Sequence, residues 1–218
     1  MTDSNATELN GAVTVAESQA SFDGWFSDAN TMAILRGYTP ERTVELAERA
    51  WEMGFALVEV PVQDDRSLAS LRATVEAGAA QGRPVGAGTV ISAELAATVA
   101  DAGAAFTVAP GWDPLVATAS LERGMPHLPG VMTASDVQQA SAFGLNWLKL
   151  FPASIVGSDM FPALHGPFPK ARFVATGGID ETNAEEFLAK GAAVVSLGSA
   201  IERVTDEHVR MWGRHLSA

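Results

Sequence analysis

The run "WLKLFPAS" (147–154) is apolar apart from Lys149, in a chain with only two other lysines, Lys170 and Lys190. An ammonium among strand-forming apolar residues is costly unless it is paired or gives up its proton. A desolvated lysine with a lowered pKa attacks carbonyls. The Schiff base it forms is an electron sink for a breaking carbon–carbon bond. Such chemistry needs a group to move protons, and Glu59 in "ALVEVPV" is the candidate general acid/base. It also needs a grip on an acidic substrate, and Arg36 in "TMAILRG" offers a two-pronged fork for a carboxylate. Thr89 in "PVGAGTV" is a weaker candidate, because threonine is common within strands.

Two glycine-bearing stretches, "TGGI" (176–179) and "LGSA" (197–200), could present backbone N–H groups to a phosphate. Blander readings exist for each feature. Glu59 could pair with Arg36 or Lys149 for structure alone, and the glycines could serve tight turns. Buried ion pairs rarely add much stability, so several polar groups held together in an apolar setting favour a functional reading. The four histidines, His127, His165, His208 and His215, have no ligand spacing, and there is no cysteine. No metal site, cofactor, disulfide or thiol nucleophile is therefore expected. "GAGTV" lacks the third glycine and following helix of a nucleotide loop and reads as a strand of little bulk.

The elements along the chain must position these residues. A polar segment over 1–18 is expected to be a mobile tail, and 19–218 a single domain. "SQASFDGWFSDA" forms a short helix with Phe22, Trp25 and Phe26 on one face. Then strand and helix alternate. Apolar runs occur at 31–37, 56–62, 84–90, 105–110, 126–131, 147–152, 172–179 and 193–200, each followed by a helical or helix-like segment. "TPERTVELAERAWEMG" shows the pattern: Thr39 as cap, Pro40 at the first helical position, Gly54 as stop. Eight βα units in one chain of this length predict a (β/α)8 TIM barrel with a short extra N-terminal helix. A doubly wound sheet is the alternative.

In such a barrel the site lies at the C-terminal strand ends. Side chains alternate along a strand, which groups Met32, Ile34 and Arg36; Leu57, Glu59 and Pro61; Val85, Ala87 and Thr89; and Trp147, Lys149 and Phe151. Leu35, Val58, Val60, Leu148 and Leu150 fall on the opposite faces, suited to helix packing. Arg36, Glu59, Thr89 and Lys149 are expected to converge in the mouth. His127 falls at the start of the fifth strand, away from the mouth, and His208 and His215 in the last helix at the surface.

The chain carries a formal net charge of −12 with a pI near 4.6, and is 47% apolar. That excludes nucleic acid and anionic membrane as expected partners without opposing a small anion. No apolar run is long enough for a membrane span, and the N-terminus has no secretory pattern, so the expected location is the cytoplasm.

Taken in order, "AILRG", "VEVPV", "VGAGTV", "VAPG", "LPGVMT", "LKLFPAS", "RFVATGGI" and "LGSA" resemble the class I 2-keto-3-deoxy-6-phosphogluconate (KDPG) and 2-keto-3-deoxy-6-phosphogalactonate (KDPGal) aldolases. The match spans about 31–201. The resemblance implies retro-aldol cleavage of a phosphorylated 2-keto-3-deoxy sugar acid to pyruvate and glyceraldehyde 3-phosphate, without a cofactor, in a homotrimer. It implies Lys149 as the Schiff-base lysine and Glu59 as the proton carrier. Arg36 and Thr89 would hold the pyruvyl end, Pro110 and Phe151 would line the substrate, and Gly177, Gly178, Gly198 and Ser199 would bind phosphate. Gln63 stands where many gluconate-type members carry arginine. The galactonate epimer and 4-hydroxy-2-oxoglutarate are the alternatives within the family. An isomerase, a synthase or a regulatory scaffold on the same barrel is the alternative outside it.

Overall fold

Parallel strands cannot be joined by tight turns, so each step between them needs a crossover. The computed structural model, which describes residues 11–217, supplies a helix between successive barrel positions. The strands are β1 (Thr31–Ile34), β2 (Leu57–Pro61), β3 (Val85–Gly88), β4 (Phe106–Val108), β5 (His127–Leu128), β6 (Gly130–Val131), β7 (Trp147–Leu150), β8 (Arg172–Thr176) and β9 (Val194–Leu197). The main crossover helices are α2 (Pro40–Glu52), α3 (Asp65–Ala79), α4 (Ala93–Asp101), α5 (Pro114–Leu121) and α6 (Ala134–Phe143). Each starts on a side-chain cap: Thr39, Asp64, Ser92, Asp113 and Thr133 accept from amides in their first turns. That satisfies donors the helix itself leaves free. Shorter helices follow: α7 (Ala153–Val156), α8 (Met160–His165), α9 (Ala184–Ala189) and α10 (Asp206–Trp212).

The sheet runs in the order β5-β4-β3-β2-β1-β9-β8-β7-β6, with every pairing parallel. Its two ends are successive pieces of one stretch. Pro129 separates β5 from β6; Ala109 N donates to Leu128 O at 3.0 Å on one side, and Lys149 N to Pro129 O at 2.8 Å on the other. The nine segments therefore occupy eight positions of a closed barrel, as expected, and the open doubly wound alternative is excluded. Gly130 makes the seam possible, since a Cβ there would lie 2.2 Å from the Pro110 carbonyl carbon.

The inward positions on β1, β2 and β7 follow the expected alternation. Met32, Ile34, Leu57 and Trp147 pack inside, while Leu35, Val58, Val60, Leu148 and Leu150 pack outward on the helices. β3 departs from it. Val85 and Ala87 face outward, and the inward positions are Gly86 and Gly88. The interior leaves no room there: a Cβ on Gly86 would lie 2.2 Å from the Phe106 ring.

A helix, α1 (Val15–Trp25), closes the N-terminal end of the barrel. Phe22 and Phe26 pack against Phe106 and Trp147. Gln19 Oε1 accepts from the amides of Asn146 and Trp147 at 2.6 and 2.9 Å, and Asp23 accepts from Trp147 Nε1 at 2.8 Å and from Arg172. Residues 15–18, expected in the tail, belong to this helix because Thr14 and Glu17 form a reciprocal capping box. The rest of that expected tail over 1–10 lies outside the described residues. At the other terminus α10 stops at Trp212, so His215 lies in a following 3-10 turn rather than in the helix. His208 and His215 are both partly exposed at the surface, with His208 stacking on Trp212.

His127 lies at the N-terminal start of β5, fully buried between sheet and helix. Ser120 donates to Met125 O, Thr107 Oγ1 lies 2.5 Å from Ser120 Oγ, and His127 Nδ1 lies 2.8 Å from Thr107 Oγ1. With the serine proton committed, the chain of donors runs from Nδ1–H through threonine to serine. That leaves the partnerless Nε2 as a bare acceptor. Burial holds the imidazole pKa down to about 3 from the ordinary 6.5, against a smaller upward pull from Asp113. The unfolded chain takes up this proton near 6.5 and the folded chain only near 3, so acid in that window favours unfolding. His127→Gln should flatten this part of the acid response. In denaturant melts at pH 7 and pH 4, the wild type should lose more stability than the variant, by an amount on the order of a few kcal/mol. Equal losses would show that His127 does not couple folding to acid.

Candidate active site

The C-terminal mouth gathers the polar residues that alternation turns inward. Glu59 on β2 and Lys149 on β7 are both buried, and Lys149 Nζ lies 3.6 Å from Glu59 Oε1. That is ion-pair range but longer than a hydrogen bond, and neither carboxylate oxygen has a hydrogen-bond partner. Burial pushes the Glu59 carboxyl up, more than Lys149 and Arg36 pull it down. Burial likewise pushes the Lys149 amine down; Arg36 adds to that, and Glu59 opposes it. Both shifts favour the uncharged forms, a neutral amine beside a protonated carboxyl, as a dry and underbonded site demands. The other two lysines are exposed.

Glu59 occupies space that β3 leaves open. A Cβ on Gly88 would lie 1.9 Å from Glu59 Oε1. The small residues of "GAGT" thus make room for the carboxylate and for Phe106.

Lys149 lines a hollow of about 340 Å³. Arg36 and Tyr38 border it from the β1 loop, Phe151 from the end of β7, and Gly177, Gly178, Gly198 and Ser199 from the loops after β8 and β9. Lys149 Nζ is 5.6 Å from the centre of the Phe151 ring. Gly177 and Gly178 have φ of 95° and 71°, a region that excludes most side chains. A Cβ on Gly178 would also lie 2.0 Å from Ser154 Oγ. Among the described residues, the amides of Gly177, Gly178, Gly198 and Ser199 donate no backbone hydrogen bond. They are available to an anion.

Two expected residues are not brought to this hollow. Thr89 has φ of 61°, the one non-glycine residue with positive φ among those described. Alternation on β3 puts its side chain on the outward face with Val85 and Ala87, where it borders a neighbouring depression of about 420 Å³ with Gln63, Asp64 and Asp65. Two carboxylates and no cation make that depression a poor host for an anion. Pro110 packs at the barrel seam over Gly130 and does not border the Lys149 hollow. Three polar residues that sequence reasoning passed over do border it: Tyr38, Thr176 and Ser196. Period-two counting back from Gly178 and Gly198 reaches the last two. Tyr38, the single tyrosine of the chain, carried no such signal; it is held by a 2.9 Å hydrogen bond to Glu202. No cluster of three or more metal-ligating side chains occurs among the described residues.

The model of a protein family described as "KDPG and KHG aldolase" matches residues 23–210. A Rhizobium meliloti (strain 1021) protein named "Probable 2-dehydro-3-deoxy-6-phosphogalactonate aldolase" is 33% identical over 78% of this chain and 80% of its own. The Escherichia coli (strain K12) "KHG/KDPG aldolase" is 32% identical over 80% and 85%. Among solved structures, the KDPG aldolase of Legionella pneumophila, with pyruvate captured at low pH as a covalent carbinolamine intermediate, superposes with a TM-score of 0.73. It is 28% identical and covers 88% of this chain and 94% of its own.

The contact between β3 and the carboxylate is testable without substrate. Gly88→Ala should cost about 1–3 kcal/mol in denaturant unfolding, the range for overpacking a tight interior. Most of that cost should vanish in a Glu59→Ala background, where the new methyl has room. Additive effects of the two substitutions would contradict the packing described.

Proposed function

The chain belongs to the KDPG and KHG aldolase family, and we propose that it cleaves 2-keto-3-deoxy-6-phosphogluconate to pyruvate and glyceraldehyde 3-phosphate. The observation that carries this reading is the buried Lys149–Glu59 pair, 3.6 Å apart, at one side of a hollow that ends in a glycine cradle.

The steps start from the neutral amine and protonated carboxyl that burial favours. The neutral Lys149 amine attacks C2 of the keto acid, giving a carbinolamine. The protonated Glu59 gives its proton to the departing hydroxyl, which leaves as water. A cationic iminium now faces a carboxylate, and each stabilises the other's charge. Glu59 then takes the proton of the C4 hydroxyl. The C3–C4 bond breaks, its electron pair flows into the iminium, and glyceraldehyde 3-phosphate departs. The enamine regains a proton at C3 from Glu59, and water releases pyruvate from the lysine. Arg36, at the mouth, grips the substrate carboxylate. Gly177, Gly178, Gly198 and Ser199 take the phosphate on free amides, and Phe151 walls the hollow beside the amine. The acidic depression that Thr89 borders argues against a role for that hydroxyl, and Pro110 serves the seam.

The galactonate epimer would pass through the same steps. The phosphorylated acids rank ahead of 4-hydroxy-2-oxoglutarate, which would leave the glycine amides unused.

We also propose a homotrimer. Four large apolar side chains are exposed on the loops and helix starts after consecutive barrel positions: Ile91 (64%), Leu115 (73%), Met132 (46%) and Ile155 (80%). Such an apolar arc marks a contact surface.

Borohydride reduction in the presence of pyruvate should place a pyruvyl adduct on the Lys149 peptide, read by mass spectrometry. Its absence from a well-folded protein would overturn the covalent mechanism. Lys149→Ala should abolish cleavage, and Glu59→Gln should slow it by about 10²–10⁴. Light scattering should give a mass of three chains, falling to one chain when Leu115 and Ile155 are both replaced by aspartate. A monomeric wild type would sink the trimer.

A further inference from the structure

Ser196 has no part in the chemistry described above, yet its position is unusual. It sits on β9, it is 1% exposed, and its Oγ has no hydrogen-bond partner. It nevertheless borders the Lys149 hollow. A buried hydroxyl without a partner is a standing cost to the empty protein. Its removal should be neutral or favourable unless something else uses it.

The barrel register shows where that hydroxyl lies along a bound chain. Ser196 pairs with Thr176 on β8 and with Met32 on β1, while Lys149 pairs with Val174, one inward position below Thr176. Gly198 is two residues above Ser196, and Gly178 two above Thr176. An acid held by C2 at Lys149 and by its phosphate at the glycines must pass Thr176 and Ser196. Glu59 on β2 lies across β1 from Ser196, so the C4 hydroxyl points away from β9 toward the carboxylate. The carbon next to the phosphate-bearing one, C5, lies directly beneath the cradle. Thr176 Oγ1 already has a 3.4 Å contact with Val174 O; Ser196 Oγ has none.

We propose that Ser196 is a specificity-determining residue whose hydroxyl hydrogen-bonds the C5 hydroxyl of the bound phosphorylated acid. This rests on the aldolase reading. It makes the residue a reader of the configuration brought in by the aldehyde half of the substrate. Serine can donate and accept, so it complements a hydroxyl in one configuration and is left unpaired by the other.

The test runs in the direction of synthesis. Pyruvate is condensed with D- and with L-glyceraldehyde 3-phosphate, and the ratio of the two kcat/KM values is compared between wild type and Ser196→Ala. The expected result is a preference in the wild type that shrinks by about fivefold or more in the variant. The borohydride-trapped pyruvate adduct should form at the same rate in both proteins. The melting temperature of the ligand-free variant should be unchanged or higher. A wild type without preference, a smaller change in the ratio, or a variant that melts lower would overturn the assignment. Failure of the aldolase reading gives a different signature, because the wild type itself would then form no pyruvate adduct.

Discussion

The removal of Lys149 from water is the constraint on which the rest of the molecule turns. An ordinary lysine is a cation at neutral pH and a poor nucleophile; this one is buried on an inward position of a parallel barrel. Its neighbour Glu59 is buried too and lacks hydrogen-bond partners, so burial pushes both groups toward their uncharged forms. Gly86 and Gly88 have to be side-chainless because the phenyl ring of Phe106 and the carboxylate occupy the space in front of them. The aromatic plug of α1 closes the far end. Several features that look separate in the sequence are therefore answers to one problem, how to keep an amine dry within reach of a carboxyl.

The molecule also reconciles an overall charge of −12 with an anionic ligand. The hollow borders Arg36, Lys149 and free backbone amides, while the acidic residues Asp64 and Asp65 gather around the neighbouring depression. Screening confines the influence of exposed charge to about 10 Å at ordinary salt. The local set decides what binds, and the total governs solubility.

Alternation made much of this legible beforehand. On β1, β2 and β7 the strands run straight, so counting by two places Arg36, Glu59 and Lys149 at the mouth. On β3 the same counting starts in the wrong phase, because the inward positions are glycines and the outward face takes Val85, Ala87 and Thr89. Hydrophobicity gives no warning of either. Pro110 lies at the seam for a related reason: the split of the fifth position at Pro129 is a matter of which neighbour accepts which amide, and local sequence does not encode it. Thr176 and Ser196 are common residue types in strands, distinguished only by what surrounds them. Tyr38 depends on Glu202, 164 residues away, a partner that local pattern cannot name.

The plug at the base of the barrel bears on the order in which the protein comes into being. Gln19 is made early, but the amides it binds belong to Asn146 and Trp147, 127 and 128 residues later. Asp23 awaits Arg172, 149 residues on. At ribosomal speeds of about 5–20 residues per second, the first helix waits on the order of ten seconds for its seat to be synthesised. The first helix of the chain is thus seated on residues made more than a hundred positions later, and the floor of the barrel is complete only once they exist.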